Sequence, residues 1–366
     1  MKFQTKAADL KKALKKMLTI ALRGESNLPV PNNIKIEASG TQLMLTYTNL
    51  EQSVSMPVEA TVQEDGATTV HAKTLRKIVT GCTDAAIQVT TGKKHLTLDL
   101  DGYSYRLDTI DAEEYPDAPR ARMPRCINMP QRDLLRAMTI AKKHVSTEQS
   151  RRIITGSYLQ IGDDVVKLVA TDGRRLTELS IPCHVESGQD DITGGIIPCT
   201  AIKAMCAMLG DTDDNVRLHI DSVRIELIFG DALIASKLIE GKYPQYGQVI
   251  PQDCETPLIF NRAQMMRFAK KSQSVNPDKF VKIEDTGERL KVSCKAGDMT
   301  ISSHVNKTGG SFEGSIALHA KYLADMLAQG KDETVLHIPG SVNGIISGAV
   351  KIVDDGEVYV LMCANH

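Results

Sequence analysis

The chain has 366 residues, which exceeds one ordinary domain and leaves room for several hydrophobic cores. Its 44 Lys and Arg residues nearly balance its 45 Asp and Glu residues, so the net charge of −1 gives no hint of a nucleic-acid partner. No apolar run approaches the roughly 20 residues that span a bilayer, and the eight cysteines contain no CxxC pair, which argues against disulfides and zinc. We expect a soluble cytoplasmic protein with no membrane association and no cofactor.

Helical and strand patterns alternate along the chain in a repeated order. Long amphipathic helices are predicted at 7–22, 131–144 and 261–273, and strand-like alternation fills most of the rest. A short apolar helix follows each long one after an interval and is predicted to end at Gly81, Gly210 or Gly330, because glycine commonly terminates helices. The order of elements therefore indicates an α+β fold.

One turn phrase occurs twice, as Tyr115-Pro116 and as Tyr243-Pro244. Together with the helix pairs, it indicates a unit of roughly 120 residues present three times, a comfortable size for a self-sufficient core. We predict domains at 1–120, 128–250 and 256–366, each with two helices on one side and antiparallel sheet on the other.

Positive charge is concentrated in the predicted helices. Eighteen Lys and Arg residues lie in or just before them against three Asp residues, a balance of +15 that leaves −16 for the strands and loops. In the first helix Lys11, Lys12, Lys15 and Lys16 avoid the apolar face and repel one another at i,i+4 spacing. Such lysines often serve only to solvate a helix, but their repetition in every unit indicates a surface potential that attracts a polyanion.

The polyanion that this pattern favours is a nucleic-acid backbone, which Lys and Arg bind without reading base sequence. Single-strand binders add aromatic stacking platforms, and none of the six Phe and nine Tyr residues clusters with the basic helices. Duplex DNA is therefore favoured. Like domains joined head to tail repeat one heterologous contact, which closes into a ring or continues as a filament.

Three stretches resemble the bacterial DNA polymerase III beta subunit family, the sliding clamps: LVATDGRRL at 168–176, GKYPQYGQVIP at 241–251 and VYVLM at 358–362. The resemblance extends over the whole chain. It implies a three-repeat clamp fold, a ring-shaped homodimer around double-stranded DNA, and helices that line the hole. It also implies docking of a replicative DNA polymerase, the clamp loader and other proteins that carry a clamp-binding motif.

In that family a hydrophobic groove between the second and third domains binds short peptides of partner proteins. Carried over by position, the resemblance places these groove residues here: Ile154, Thr171, Gly173, Arg174, Arg175, Leu176, Pro244, Val249, Tyr322, Ile345 (or its neighbour Ile346), Val360 and Met362. The tail Cys363-Ala364-Asn365-His366 lacks the proline and the terminal basic residue that the family commonly has, and Gln248 replaces a frequent arginine. Both departures bear on peptide preference.

For DNA, the resemblance and the helix charges point to one set of residues: Arg23, Lys73, Gln149, Arg151, Arg152, Lys11, Lys12, Lys15 and Lys203. Glu25 and Thr200 stand near positions where the family often carries a base, so a weaker or shifted footprint is expected. For the contact between subunits, the resemblance points to Tyr105 and Leu107 on domain one. On domain three it points to Ser272 and Gln273, whose polar character suggests the hypothesis of a dimer that opens readily.

No short motif of an enzyme is present. Gly92-Lys93 lacks the spacing of a phosphate loop, and neither HExxH nor GxSxG occurs. A hydrolase or transferase whose site is assembled from distant residues, and a repeat scaffold that binds peptides but no DNA, are the alternatives to a DNA clamp. The prediction is a processivity factor without catalytic activity of its own.

Overall fold

The computed structural model describes residues 1–21, 32–83, 86–116, 120–122, 124–186, 192–252, 256–275, 280–328, 332–339, 346, 348–354 and 357–363. By its internal contacts the chain divides into two compact units. Unit 1 comprises Met1–Lys142, Tyr158–Val166 and Ile181–Glu240, and unit 2 comprises Lys143–Ser157, Lys167–Ser180 and Gly241–His366. No helix in the described ranges is long and apolar enough to cross a membrane. The division into three domains stays a prediction.

The described residues contain six α-helices, close to the positions that the sequence predicts. They are α1 (Ala7–Met17), α2 (Ala72–Thr80), α3 (Gln131–Ala141), α4 (Cys199–Met208), α5 (Arg262–Val275) and α6 (Ala320–Leu327). Short 3-10 turns cover Leu18–Ile20, Ala112–Glu114, Gln149–Thr155 and Tyr246–Val249. Gly81 caps α2 as predicted, but the prediction for Gly210 is wrong, because α4 ends at Met208 and the backbone is already extended at Leu209. Gly330 lies outside the described residues.

The strands of the first third of the chain are β1 (Lys2–Lys6), β2 (Asn33–Ser39), β3 (Gln42–Thr48), β4 (Gln52–Val58), β5 (Ala60–Glu64), β6 (Gly66–His71), β7 (Ala86–Thr91), β8 (His95–Leu100) and β9 (Tyr103–Ile110). Those of the second third are β10 (Arg125–Pro130), β11 (Gly156–Ile161), β12 (Val165–Thr171), β13 (Arg175–Pro182), β14 (His184–Glu186), β15 (Gly194–Pro198), β16 (Asn215–Ile220), β17 (Arg224–Phe229) and β18 (Ala232–Lys237). Those of the last third are β19 (Thr256–Asn261), β20 (Phe280–Asp285), β21 (Arg289–Ala296), β22 (Met299–Gly309), β23 (Ser315–His319), β24 (Glu333–Ile338), β25 (Ala349–Asp354) and β26 (Glu357–Met362).

Each third of the chain has the same order: a strand, a helix, four or five strands, a second helix and three strands. The opening strand of each third also pairs in the same antiparallel way. Strand β1 lies between β5 and β7, β10 between β14 and β16, and β19 between β22 and β24. The α+β fold class and the repetition predicted from the sequence are therefore confirmed.

Unit 1 contains one antiparallel sheet of 14 strands in the order β14-β10-β16-β17-β18-β4-β3-β2-β6-β9-β8-β7-β1-β5. Four helices form a layer in this unit, in which α1 packs against both α2 and α4, and α4 packs against α3. The helices bury apolar side chains at i, i+3 and i+4 spacing, such as Leu10, Leu14 and Met17 of α1. Their polar faces are consequently left to solvent.

Unit 2 contains most of β12 and β13, followed in the sheet by β26-β25-β24-β19-β22-β21-β20-β23. Helix α5 packs against α6 and against strands β19, β21 and β22. Phe260, Met265 and Leu323 are almost fully buried in this unit. The sheet and the two helices thus share an apolar core.

Both repeated Tyr-Pro phrases bury their tyrosine, and hydrogen bonds anchor the first one. The hydroxyl of Tyr115 accepts a hydrogen bond from the Thr48 amide and donates one to the Asn33 carbonyl. Burial raises the pKa of Tyr115, and burial likewise raises the pKa of Tyr243, against the opposing effect of a backbone hydrogen bond from Thr171. Thr48 ends β3, so Tyr115 fixes its turn to the end of that strand.

Candidate functional site

The helix layer of unit 1 exposes a band of positive charge. The exposed cations on its helices are Lys12, Lys15, Lys73, Arg76, Lys77, Arg132, Arg136 and Lys203. The only acidic residues on these four helices are Asp9 and Asp133, and both are half-buried. Arg132 pairs with Asp213 at 2.6 Å. Lys12, Lys15, Lys73 and Lys203, four of the predicted DNA contacts, therefore belong to a surface with an excess of positive charge.

Two of the four lysines on α1 bind the ends of neighbouring helices. The Lys11 ammonium donates to the Cys82 carbonyl just beyond α2 at 2.7 Å, and the Lys16 ammonium donates to the Met208 carbonyl at the end of α4 at 3.2 Å. Helix C-termini carry partial negative charge, so these contacts offset part of the repulsion along α1. Burial, together with the charge of Lys12, lowers the pKa of Lys16. Lys11 is thus partly committed to the fold.

The other predicted DNA contacts that the structure describes belong to unit 2. Gln149, Arg151 and Arg152 are exposed on the 3-10 turn Gln149–Thr155 of unit 2. The Arg151 guanidinium pairs with Glu148 at 3.3 Å and stands 3.0 Å from the position that a Cβ atom on Gly173 would occupy. The structure therefore brings Arg151 to the predicted peptide groove. Arg23 lies outside the described residues.

The described groove residues all belong to unit 2, and most are joined by contacts. Leu176 on β13 pairs with Val360 on β26, and the Met362 amide donates to the Arg174 carbonyl at 3.0 Å. Pro244 follows Tyr243, whose side chain is buried in the same unit. Val249 shares no described hydrogen bond or strand pairing with the others, and Ile345 lies outside the described residues.

The hairpin between β12 and β13 is a tight turn, as the Asp172-Gly173 pair predicts. Gly173 has a φ of +87°, a conformation that side chains rarely adopt. The Asp172 carboxylate accepts hydrogen bonds from the amides of Arg174 and Arg175 at 2.9 and 3.1 Å. The Thr171 hydroxyl accepts one from the Gly173 amide and donates to the Arg175 carbonyl. The turn is fixed by its own side chains.

Arg175 is buried in the groove with 8% exposure and contacts three other segments of unit 2. Its guanidinium donates to Asp172 at 3.0 Å, to Asp325 on α6 at 2.7 Å and to the Lys143 carbonyl. It also lies 4.3 Å from the ring centroid of Tyr322, which stacks on His319. The hairpin, the chain after α3 and the groove face of α6 therefore meet at one side chain.

The apolar groove residues divide by exposure. Ile154, Leu176 and Val360 are buried, whereas Met362 is 43% exposed and Val249 is 51% exposed. The arrangement offers an extended ligand an apolar floor, an exposed methionine and the ring of Tyr322.

Strands β9 and β22 lie inside the sheets, and each leaves part of one edge unpaired among the described residues. Residues 103–108 of β9 pair only with β8, because β6 reaches only Thr109 and Ile110. Residues 299–306 of β22 pair only with β21, because β19 reaches only Lys307 and Gly309. Beside the β9 edge lies a surface pocket of about 320 Å³ lined by Lys77, Ile78, Gly81, Cys82, Leu100, Asp101, Tyr103 and Tyr105.

The structure corrects one residue predicted for the contact between subunits. Ser272 is fully buried in unit 2, and its hydroxyl donates to the Phe268 carbonyl one turn earlier on α5. It is therefore unavailable to a second copy. The Gln273 side chain is half-buried and donates to the Ala320 carbonyl. Sequence reasoning missed the open edge of β22, which alignment of the three repeats strand by strand would have located.

Two family models match this chain: the DNA polymerase III beta subunit N-terminal domain over residues 1–119 and its central domain over residues 128–245. The beta sliding clamp of Chlamydia pneumoniae is 28% identical over 360 residues, which cover 95% of each chain. The sliding clamp of Bacillus subtilis has a TM-score of 0.90 at 20% identity, over 100% of this chain and 99% of that one. The clamp of Pseudomonas aeruginosa bound to griselimycin also scores 0.90, at 23% identity over 100% of both. The chain belongs to the bacterial DNA polymerase III beta subunit family, the sliding clamps that serve as processivity factors of DNA polymerase.

Proposed function

We propose that two copies of this chain close head to tail into a ring around duplex DNA. The ring would have no catalytic activity of its own. It would act in the cytoplasm by keeping a replicative polymerase near the primer end, since a tethered enzyme retains a high local concentration after each release. The observation that carries the proposal is a pairing between strands of successive repeats. It occurs twice within the chain, and the equivalent strands of the last and first repeats are not paired in this way.

That pairing joins the third strand between the helices of one repeat to the last strand of the next repeat. It occurs as β4 with β18 in unit 1 and as β13 with β26 in unit 2, both antiparallel. The corresponding strands that remain are β22, the third strand of the last repeat, and β9, the last strand of the first. Each of these two strands has an open edge over several residues. Pairing β22 of one copy with β9 of another would therefore repeat the same contact.

The repeats also specify the register of this contact. Gln52 pairs with Ser236 and Arg175 with Leu361, each at the first residue of its third strand. Met299 is the first residue of β22. Leu107 is the fifth residue of β9, as Ser236 is of β18 and Leu361 is of β26, so the equivalent pair is Met299 with Leu107. Ile301 then lies opposite Tyr105, so apolar side chains meet on one face of the new pairing. A slip of one residue would place them opposite polar neighbours.

Cysteine cross-linking tests the ring and its register together. We expect a chain carrying Ile301→Cys and Tyr105→Cys to form a covalent dimer under mild oxidation, because directly opposite Cβ atoms lie about 5 Å apart. Cys82→Ser with Cys294→Ser serves as the background, since Cys82 lines the adjacent pocket and Cys294 lies directly opposite Ile301 on β21. The control is Ile301→Cys with Arg106→Cys, whose side chains would point to opposite faces. A monomer by sedimentation, or equal cross-linking in the control, would contradict the proposal.

The exposed cations of the helix layer would face the duplex. Lysines and arginines bind phosphates by displacing condensed counterions, which gives sequence-independent contacts that permit sliding. Lys12, Lys15, Lys73 and Lys203 are the described residues best placed for this role, and Gln149 and Arg152 stay candidates on the 3-10 turn. Retention on nicked circular DNA, with loss from linear DNA of the same sequence, would support a topological ring. Equal retention on both would oppose it.

The groove in unit 2 would hold short peptides of the polymerase, of the clamp loader and of other partners. Apolar anchors of an extended peptide would leave water over Met362, Pro244 and Tyr322, at about 25 cal/mol per Å² of buried area. This affinity is modest and allows partners to exchange. Fluorescence anisotropy with labelled apolar peptides tests the site: Met362→Asp should weaken binding, and unchanged binding would exclude this groove.

A further inference from the structure

We propose that Lys351 is a positioning residue for the groove in unit 2. It holds the second connector, residues 238–255 between the second and third repeats, which carries Pro244 and Val249. Glu226 holds the first connector at the equivalent position of the preceding repeat, with the opposite charge. The effect on peptide binding rests on the proposed groove, whereas the contacts with the connectors do not depend on it.

The first connector consists of residues 111–124, between the first and second repeats. It is bound by Glu226 on β17, which accepts hydrogen bonds from the Ala121 amide and from the Arg120 side chain at 3.2 Å. Glu226 is only 1% exposed, and a buried carboxylate requires partners of this kind. This carboxylate therefore fixes Arg120 and Ala121 to the sheet of unit 1.

The second connector is bound by a cation instead of a carboxylate. The Lys351 ammonium on β25 donates a hydrogen bond to the Pro251 carbonyl, two residues after Val249. The other described backbone hydrogen bonds of residues 244–250 are local ones within the connector. Lys351 therefore ties this part of the connector to the sheet of unit 2.

Strand pairing shows that Glu226 and Lys351 occupy one position of the repeat. Each is the third residue of its strand and lies opposite a histidine, His219 on β16 or His337 on β24. The same position of the first repeat is Thr97 on β8, which lies opposite another threonine. The charged residue and its histidine thus occur in the two repeats that follow a connector of this chain.

His337 makes the contact of Lys351 sensitive to acid. Its neighbours across the sheet are Pro257 on β19 and Lys351 on β25, so the one charge that faces it among these strand partners is positive. Burial, and then the charge of Lys351, lowers the pKa of His337. The contact is therefore fully present above about pH 6.5, the ordinary histidine value, and release of the connector is favoured as pH falls below it.

His219 has a different electrostatic environment. The titratable and charged groups that face it come from four strands and from the first connector: Cys126, Glu186, Arg217, Glu226 and Arg120. Burial lowers the pKa of His219, but the charge of Glu226 opposes this change. A proton on His219 would be compensated by Glu226, so the first connector should respond less to acid than the second.

Hydrogen exchange of the full-length protein, read by mass spectrometry on peptides from each connector, tests the assignment. At about pH 7.5, Lys351→Met should speed exchange in the second connector about fivefold, as expected for the loss of one hydrogen bond, and leave the first unchanged. Lys351→Arg keeps a donor and should keep exchange slow. Glu226→Gln should affect the first connector only. Thr97→Val, at the same position of the first repeat, is the matched control and should change neither.

Acid and peptide binding provide two further readouts. Between about pH 7.5 and about pH 5.5, exchange in the second connector, corrected for its intrinsic rate, should rise about threefold, and His337→Gln should abolish this rise. The affinity of a labelled apolar peptide should fall about threefold in Lys351→Met and be kept in Lys351→Arg. A residue that only stabilised the fold would not produce this pH response.

Unchanged exchange of the second connector in Lys351→Met would overturn the assignment, and so would faster exchange in both connectors. An acid response that persists in His337→Gln would exclude the role of the histidine. Faster exchange with unchanged peptide affinity would show that Lys351 does not position the groove. If no peptide binds the unaltered protein, the proposed groove itself fails, and the exchange data still decide whether Lys351 holds the connector.

Discussion

Helix α1 and the β12–β13 hairpin both place neighbouring cations at a surface, and the structure uses the neighbours differently in each. On α1, Lys12 and Lys15 are exposed, while Lys11 and Lys16 bind the ends of α2 and α4. On the hairpin, Arg174 is exposed and Arg175 is enclosed by its partners. The hydrogen-bond partners of a cation, more than its presence in a basic stretch, determine whether it serves the fold or a ligand. The five predictions below test this distinction.

The largest effect is expected at Lys307, a buried cation of unit 2. Its ammonium lies 2.8 Å from Asp285, and the two side chains are 9% and 4% exposed. Lys307→Met leaves a buried carboxylate without its cation, which costs about 4 kcal/mol in the free energy of unfolding. Urea unfolding followed by circular dichroism would measure the change. A loss below about 1 kcal/mol would show that burial does not mark a structural cation here.

Arg175→Met should destabilise the protein by about 3 kcal/mol, at the low end for a buried ion pair because Asp325 keeps 29% exposure. The matched variant is Arg174→Met, which should change the free energy of unfolding by less than about 0.5 kcal/mol. The same urea titration applies to both. Equal effects at the two positions would remove the distinction between the arginines.

Acid should release part of the stability contributed by Asp285. Burial alone would raise its pKa, but hydrogen bonds from Lys307 and from the amides of Gly287 and Phe312 outweigh burial and hold the pKa below its usual value. A depressed carboxyl pKa contributes stability above the unfolded-state value of about 3.9, and that stability is lost as pH falls through the folded-state value. Asp285→Asn should flatten this decline. An unchanged slope in the variant would argue against the pair.

Replacing Lys11 or Lys16 by methionine keeps the aliphatic stem but removes the hydrogen bond to a neighbouring helix end. Each change should cost about 1 kcal/mol in the free energy of unfolding, the usual value for such a bond and for a cation at a helix C-terminus. Thermal unfolding of the two variants provides the measurement. Unchanged stability would show that Lys11 and Lys16 only solvate the helix surface, as exposed lysines often do.

The smallest effect on stability, less than about 0.5 kcal/mol, is expected for Lys12→Gln combined with Lys15→Gln. DNA binding should nevertheless weaken, and the slope of log affinity against log salt should decrease by about 1.8 if each lysine neutralises one phosphate. Binding measured between low and moderate salt would show this. A double variant that keeps the full slope would remove α1 from the DNA-binding surface.

Local pattern predicted much of the fold. The apolar spacing of Leu10, Leu14 and Met17 located α1, and Asp172-Gly173 located the hairpin, because helix periodicity and turn chemistry depend on near neighbours. The local pattern did not locate the end of α4, because the C-cap is Leu209 and the predicted Gly210 comes one residue after it. A glycine permits termination of a helix but does not compel it, and the backbone here is already extended at Leu209.

The site was predicted less completely, since partners distant in the sequence determine it. Most groove positions followed from the resemblance, yet the burial of Ser272 and the contact of Arg151 with the hairpin did not. Ser272 occupies a polar stretch of α5 but points to its buried face and bonds within the helix. The open edges of β9 and β22 became visible only when the pairing of every other strand was known.

The sequence by itself determined the repeated α+β unit, the helices and their excess of positive charge, because each follows from periodicity and composition within short windows. Only the tertiary structure decided which cations are exposed, which serine is buried and which strand edges are open. Those properties depend on contacts between residues up to 192 positions apart, as between Lys16 and Met208. Chain folding brings such residues together, and no local pattern encodes their distance.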